Sequence, residues 1–335
     1  MTVKGKVKGA AAVRRWFALA EEALQTHQSR LDRINVYPVA DSDTGANMLA
    51  TIRSSRTAVE NTDSDDLGRL LASAGAEAMG SAQGNSGTLL AVLISGLAEP
   101  LSGHQRLTVT TLRRGLERAS LRGWSALSQP MEGTMLSVLD AAMDESRSQA
   151  AAAAEPDSRA ALEQAMDPVV QAARGALIQT EHQLEVLSRA GVVDSGGLGL
   201  LIVLAALAAA VRGEEIDHSI LDGLSGWELP DGDQNDAPSS FLGATGAGEA
   251  ADQPEPEGVE LMCTVLLDPL GAAALRHRLD ELGESVIITP IGAEPDQNGS
   301  LRWRIHVHTD DVETTLAAVK EAGPLEESST TPLHR

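Results

Sequence analysis

A break in composition at residues 225–258 constrains the fold of this 335-residue chain more than any other feature. The stretch SGWELPDGDQNDAPSSFLGATGAGEAADQPEPEG is rich in Gly, Pro, Asp and Ala, so it has too little apolar surface to order itself. The chain is also too long for one ordinary core. The sequence therefore predicts a first domain at 1–214, a flexible linker at 215–257 and a small second domain at 258–335.

The first domain has the residue spacing of amphipathic helices. Val13, Phe17, Ala20 and Leu24 recur at three and four residues, which predicts a helix ending near Arg33. No convincing period-two strand interrupts the domain, so we expect an all-α fold of eight or nine helices. The apolar run 198–211 is short of the ~20 residues that a bilayer crossing needs, and it reads as a buried helix. Further helices are predicted at 47–61, 64–79, 86–98, 108–126, 131–148, 158–180, 183–190 and 196–212.

The second domain shows strand signals. VELMCTVLL (259–267), SVIITPI (285–291) and LRWRIHVHT (301–309) are rich in β-branched or alternating residues. Helices are predicted at 269–283 and 311–323. The expected order is β-α-β-β-α, which makes this a small α+β domain.

Charge and cysteine content limit the partners and the compartment. The chain has 48 acidic and 26 basic residues, a formal net charge of −22, which repels nucleic acid and anionic membranes. An acidic protein that binds a polyphosphate needs a divalent cation between the two. The single cysteine, Cys263, forms no intramolecular disulfide, and the first thirty residues do not read as a signal peptide. We therefore expect a cytoplasmic protein with no membrane span.

The segment NVYPVADSDTGANM (35–48) places Asp41 and Asp43 just before a helix. Such a pair is commonly a helix cap. A calcium loop of the EF-hand type is excluded, because its fifth, sixth and twelfth positions would be Gly45, Ala46 and Ile52. Two carboxylates ahead of a helix N-terminus also suit magnesium together with phosphate.

Three further loops place small residues directly ahead of an apolar helix. They are GSAQGNSGTLL (80–90), PMEGTML (130–136) and VVDSGGLGL (192–200). The first is not a Walker A loop, because Thr88 and Leu89 follow Gly87 where Lys-Ser or Lys-Thr is needed. Each loop alone is also compatible with an ordinary helix connection. If the helices alternate up and down, however, the four loops gather at one end of the domain.

In this order, the four motifs resemble the nucleotide-binding (DhaL-type) domain of the dihydroxyacetone kinase family, in the version at the N-terminus of bacterial fatty acid kinase catalytic subunits. The resemblance implies an up-and-down barrel of eight α-helices that binds ATP or ADP through two Mg2+ ions. It implies that Asp41 and Asp43 are magnesium ligands, with Asn35 as a weaker candidate. It implies a nucleotide site at Thr44, Gly45, Asn47, Met48, Gly84, Asn85, Ser86 and Gly87, with Thr134, Met135, Asp194, Gly196 and Gly197 near the nucleoside.

Cys263 and HVHTDD (306–311) resemble the middle domain of the same subunits, in which a cysteine and two histidines bind zinc. His306 and His308 are two residues apart on a predicted strand, so their imidazoles share one face. Cys263 lies on another strand of the same sheet, which allows the zinc site that the resemblance implies. The two histidines are also candidates for orienting the phosphoryl acceptor.

The function that the resemblance implies is phosphoryl transfer from ATP to a fatty acid carboxylate. A separate DegV-like fatty-acid-binding protein would present the acceptor, and the product would be an acyl phosphate. One alternative is a nucleotide subunit of dihydroxyacetone (glycerone) kinase type, and another is a non-catalytic nucleotide sensor or adaptor. A homodimer is compatible with the sequence.

The sequence departs from the family pattern at several points. Ser42 stands where the family usually has Gly, Ala40 where it has Pro, and Gln83 where it often has Arg. If the acidic turn needs a positive φ at Ser42, we expect strain there. The family's third, DegV-like domain has no counterpart up to Arg335, which leaves partner docking open.

Overall fold

The computed structural model describes residues 9–227, 258–292 and 295–333. In the first of these ranges the chain forms eight long α-helices and one short one, which confirms the all-α prediction. The long helices are α1 (Ala10–Arg33), α2 (Thr44–Asn61), α3 (Leu67–Ser81), α4 (Gly84–Ala98), α5 (Val109–Ala126), α6 (Met135–Ala152), α7 (Arg159–Gln183) and α9 (Ser195–Arg212), and the short one is α8 (Glu185–Ala190).

The long helices close into an up-and-down barrel. Each packs against the next along the chain, and α9 packs against α7 and α1, which closes the ring. Because short connections join antiparallel neighbours, every second connection lies at the same end. Residues 34–43, 82–83, 127–134 and 191–194 therefore share one end, which we call the rim. The expected eight-helix barrel is confirmed, and α2, α4, α6 and α9 all begin at the rim.

Helix α9 is the central apolar element of the barrel. Within the described ranges it is the one helix whose length and composition would allow a membrane crossing, and 89% of its 18-residue window is buried. Its apolar surface packs against α1, α6 and α7, and the Trp16 indole donates a hydrogen bond to the Val203 carbonyl at 2.9 Å. The prediction of a buried helix is confirmed.

The chain continues after α9 as a segment that packs on the outside of the barrel. In residues 214–227, which we call the strap, Leu221, Leu224 and Trp227 are buried. Arg15 and Arg174 donate hydrogen bonds to backbone carbonyls of the strap. The predicted linker at 215–257 is therefore wrong for its first part, because these apolar side chains anchor residues 215–227. Residues 228–257 lie outside the described residues.

The strap reverses the direction of α9. It starts beside Arg15, in the first half of α1, and it ends at the rim. There the Val193 amide donates to the Ser225 carbonyl at 3.2 Å, and Arg30 lies over the Trp227 ring at 5.1 Å. The strap thus returns the chain to the end of the barrel that carries the four loops.

The second domain is a four-stranded antiparallel sheet with two helices. The strand order is β2-β3-β1-β4. The predicted elements are present, but the fourth strand was not predicted, because LEESSTTP is polar and lies exposed at the edge of the sheet. The elements are β1 (Val259–Leu267), α10 (Pro269–Asp280), β2 (Glu284–Ile291), β3 (Leu301–Thr309), α11 (Val312–Ala322) and β4 (Leu325–Pro332).

Both faces of this sheet are covered. One face packs against α10 and α11, and the other packs against the barrel, where Ile287 joins a cluster with Met79 and Ala126. Leu127 of the rim forms an isolated antiparallel bridge with Ile287. Arg276 donates to the carbonyl of Ser125 at 2.7 Å. The second domain is therefore docked beside the rim.

Candidate active site

A cleft of about 820 Å3 lies between the rim and the second domain. All four loops singled out in the sequence contribute to it, because up-and-down topology brings them to one end of the barrel. From the barrel it is lined by Asn35, Tyr37, Asp41, Asp43, Thr44, Asn85, Ser86, Gln129, Thr134, Met135, Asp194 and Gly196, among others. From the second domain it is lined by Asp280, Glu284, Ser285, Val286, His308, Thr309, Asp310 and Asp311, among others.

The acidic pair does not cap α2. Asp43 occupies the N-cap position, but its side chain makes no capping hydrogen bond. Asp32, near the end of α1, accepts instead from the amides of Gly45 at 2.6 Å and Ala46 at 3.1 Å. The helix-cap interpretation of Asp41 and Asp43 is therefore wrong, and both carboxylates face the cleft.

The two carboxyl groups are close enough to disturb each other's ionisation. Burial, the neighbouring Asp43 charge and a hydrogen bond with Asp43 raise the pKa of Asp41 to about 7. Asn35 opposes this rise, because its Nδ2 donates to Asp41 Oδ1 at 2.5 Å. Two adjacent carboxylates and an amide oxygen are hard donors, and a divalent cation would relieve their repulsion. These three residues fit magnesium.

The turn between the two carboxylates has the positive φ that the departure from Gly made a concern. Ser42 is exposed and has φ +56°, in the left-handed region that glycine adopts freely. The strain expected at this position is therefore present. It is stored at the turn that sets the separation of Asp41 and Asp43.

The loop GNSG forms the first turn of α4. Asn85 and Ser86 line the cleft, whereas Gly84, Gly87 and Asn47 lie behind them. Gly84 has φ +63°, and a Cβ there would stand 2.2 Å from Asn47 Nδ2, so glycine is required. The Gly84 amide does not face the cleft site, because it donates to Glu260 of the second domain at 2.7 Å.

The other two loops supply helix starts. Thr134 caps α6, and the buried Asp194 caps α9 by accepting from the Gly197 amide at 2.6 Å. Burial raises the pKa of Asp194 to about 7, against the opposing hydrogen bonds from the amides of Gly197 and Met135. The caps leave Thr134, Met135, Asp194 and Gly196 at the cleft.

Several predicted nucleotide residues support the site from behind. Met48 is fully buried, and a Cβ on Gly199 of α9 would stand 2.3 Å from its sulfur. Gly45 lies against the end of α1, where a Cβ would meet the Gln28 carbonyl at 2.5 Å. The residues that do not line the cleft are Gly45, Asn47, Met48, Gly84, Gly87 and Gly197.

The structure separates the predicted zinc ligands. Cys263 pairs with Ile305, and its side chain lies in the core beneath α10 and α11. Met262 pairs with His306, so both histidines face the barrel from the opposite side of the sheet. A zinc site of Cys263, His306 and His308 is therefore wrong. Within the described ranges no group of three or more His, Cys, Asp or Glu side chains is placed to hold a metal ion.

The two histidines have different positions relative to the cleft. His308 lines it and is 4% exposed, whereas His306 is fully buried behind it. Their rings are 4.8 Å apart, and Nδ1 of His306 lies 3.1 Å from Oε1 of Glu260. Of the two predicted catalytic histidines, only His308 is placed to touch an acceptor in the cleft.

Comparison with protein families gives two matches. A model described as the DAK2 domain matches residues 38–209, about half of the chain. The chain belongs to the DAK2 domain family. A second model, described as the FakA-like middle domain of fatty acid kinase, matches residues 260–335. The DAK2 match therefore falls on the barrel, and the middle-domain match falls on the docked α+β domain.

Similar proteins carry the same region within longer chains. Protein YloV of Bacillus subtilis is 33% identical over 193 residues, and an uncharacterised protein of Staphylococcus saprophyticus is 36% identical over 193 residues. Both alignments cover 58% of this chain and 34% of the relative, so the chain spans about a third of the length of these curated relatives. The crystal structure of the dihydroxyacetone kinase from C. freundii in complex with AMP-PNP and Mg2+ aligns over 58% of this chain and 33% of that chain, with 20% identity and a TM-score of 0.44.

Sequence patterns missed two residues that organise the DAK2 site. Asp32 lies inside a helical pattern, and nothing in its spacing signals that it caps α2. Glu260 is the one charged residue of an apolar strand, which is a signal that a buried partner exists but not which one. Tyr37 also lines the cleft, and burial followed by the Asp194 charge raises its pKa.

Proposed function

We propose that this DAK2 protein is the nucleotide-binding subunit of an ATP-dependent phosphotransferase. Its acceptor in this proposal is a fatty acid carboxylate, presented by a DegV-like fatty-acid-binding protein, and its product is an acyl phosphate. The observation that carries the proposal is the Asp41 and Asp43 pair, which caps no helix and faces a cleft at the rim. ATP supply and the single buried cysteine fit a reducing cytoplasm.

The residues of the rim divide between cation and phosphates. Asp41 and Asp43, with Asn35 behind them, would hold magnesium, which when bound neutralises phosphate charge and aligns the transferred group. Asn85 and Ser86 present the first turn of α4, whose positive end favours phosphate oxygens. Asp194 and the start of α9 close the other side of the cleft, where the nucleoside is proposed to lie.

The chemistry asks little of the protein beyond positioning. A carboxylate oxygen of the acceptor attacks the γ-phosphorus, the bond to the β,γ-bridging oxygen breaks, and ADP leaves with that electron pair. The acceptor is already ionised at neutral pH, so no general base has to remove a proton. His308 is placed to orient the acceptor at the cleft.

The middle domain supports the fatty acid acceptor over a ketose acceptor. It matches the family described by the name fatty acid kinase, and it contributes His308, Thr309, Asp310 and Asp311 to the cleft wall. A ketose acceptor would instead have to lose a hydroxyl proton during transfer. The dihydroxyacetone reaction therefore remains the comparison in the experiment.

The test measures ATP consumption by purified protein with Mg2+. One arm supplies a fatty acid bound to a DegV-like protein, and the other supplies dihydroxyacetone. We expect turnover in the first arm and none in the second, and Asp43→Asn should abolish it while Asp65→Asn, an exposed position, should not. Turnover with dihydroxyacetone alone would refute the proposed acceptor. Tight Mg-ADP binding without turnover in either arm would identify a nucleotide sensor.

A further inference from the structure

One carboxylate joins the second domain to the phosphate-facing helix of the barrel. Glu260 lies on β1, on the sheet face that packs against the barrel, and it is 5% exposed. Its Oε1 accepts from the Gly84 amide at 2.7 Å, across 176 residues of sequence. The same oxygen lies 3.1 Å from Nδ1 of His306.

A buried carboxylate is stable only with compensating partners. At Glu260 they come from both domains. The N-cap residue of α4, Gln83, makes no side-chain capping hydrogen bond, so Glu260 supplies the missing acceptor at the positive end of that helix. Burial alone would raise the pKa of Glu260, but His306 and the Gly84 amide outweigh burial and hold it below its usual value. The carboxylate is therefore ionised and shared between the barrel and β3.

This contact lies next to two groups at the cleft. Gly84 immediately precedes Asn85 and Ser86, which line the cleft at the start of α4. His306 lies two residues before His308 on the same face of β3, and the two rings are 4.8 Å apart. A shift of Glu260 would therefore move the phosphate side and the acceptor side of the cleft relative to each other.

We propose that Glu260 is a positioning residue, which holds β3 against the start of α4 and thereby sets the place of His308 relative to the phosphates. Glu260 itself does not line the cleft and touches neither nucleotide nor acceptor. The link to His308 rests on the proposed phosphotransferase function. The docking of the second domain through the Gly84 amide does not depend on that function.

Two variants separate the parts of this role. Glu260→Gln keeps an oxygen that can accept from the Gly84 amide but removes the charge beside His306. Glu260→Ala removes both contacts. Glu321→Gln makes the same charge change at an exposed position of α11 and is the matched control.

The first measurement needs no turnover. Hydrogen exchange at Gly84, read by NMR of protein labelled with 15N-glycine, should accelerate by about tenfold in Glu260→Ala, as expected for the loss of a charged hydrogen bond. Glu260→Gln and the control should stay close to wild type. Unchanged Gly84 exchange in Glu260→Ala would overturn the docking role. This reading stands even if no acceptor supports turnover, so failure of the proposed function is distinguishable.

The second measurement tests the link to His308. Glu260→Gln should lower kcat by about tenfold with the KM for ATP and the affinity for Mg-ADP unchanged. In a His306→Gln background the same replacement should have no further effect, because Glu260 then has no imidazole to position. Additive losses of kcat in the double variant would overturn the proposed link. Loss of Mg-ADP binding would also overturn it, since Glu260 would then belong to the nucleotide site or the fold.

Discussion

Replacing Asp41 by Asn tests the cation site through stability as well as function. Without a cation, burial and the Asp43 carboxylate raise the pKa of Asp41 to about 7 from its ordinary value of 3.8. The folded protein then holds this proton more tightly than the unfolded chain does. The resulting stabilisation is complete below about pH 4 and is lost as the pH rises through about 7. At pH 8 the wild type therefore has two adjacent charges that Asp41→Asn removes.

The size of this effect follows from the shift and from the open cleft. A shift of about three pKa units corresponds to about 4 kcal/mol in a sealed site. Asp41 is only partly buried, so water and salt screen the repulsion, and we expect roughly 1–2 kcal/mol. For a domain of about 200 residues this corresponds to a rise in Tm of roughly 2–8 °C.

Thermal unfolding with EDTA at pH 8 and pH 5 measures the difference. Asp41→Asn should melt above wild type at pH 8, and the gap should shrink at pH 5, where the native wild type is protonated at Asp41. Mg2+ with ADP should then raise the Tm of wild type and leave Asp41→Asn almost unchanged. Asp65→Asn is the control for charge alone. A variant that melts below wild type at pH 8 in EDTA would refute the argument from paired charges.

Three further predictions test the loop, the helix start and the metal assignment. Ser42→Gly should stabilise the protein by about 1 kcal/mol, because relief of the left-handed strain exceeds the added chain entropy, and an unchanged or lower Tm would contradict this. Gly84→Ala should weaken Mg-ADP binding by at least about tenfold in calorimetry, because its Cβ would displace Asn47, whereas Gly80→Ala, whose Cβ meets nothing within 4 Å, should bind normally. Cys263→Ser should leave the metal content unchanged in elemental analysis, and a loss of bound zinc would return the thiol to a metal site.

Local patterns predicted the barrel well because its helices carry their own signals. The apolar spacing and the small residues at helix starts gave eight or nine helices and placed the four loops. Alternation of direction then gathered those loops, as Asp41 and Asp194 at one cleft illustrate. Boundaries were less well predicted, since α2 begins at Thr44 and not at Asn47.

The errors arose where a role depends on a distant partner. The sequence VELMCTVLL is buried on both faces, so it contains no alternation that would place Cys263 away from His306. Only the pairing of β1 with β3 decides that question. The cap on α2 comes from Asp32 and the cap on α4 from Glu260, and both are tertiary contacts. The edge strand β4 has no apolar face and gave no signal.

The strap gives the chain a favourable tether point. Helix α9 ends at the far side of the barrel, about 27 Å from the rim for an 18-residue helix. By running back along the outside, residues 214–227 deliver the chain to the rim before the 30 residues 228–257 begin. The second domain is thereby attached beside the surface on which it docks. Its local concentration at the cleft is set by a short search and not by a span around the whole barrel. Shortening the strap should weaken docking without changing any residue of the interface.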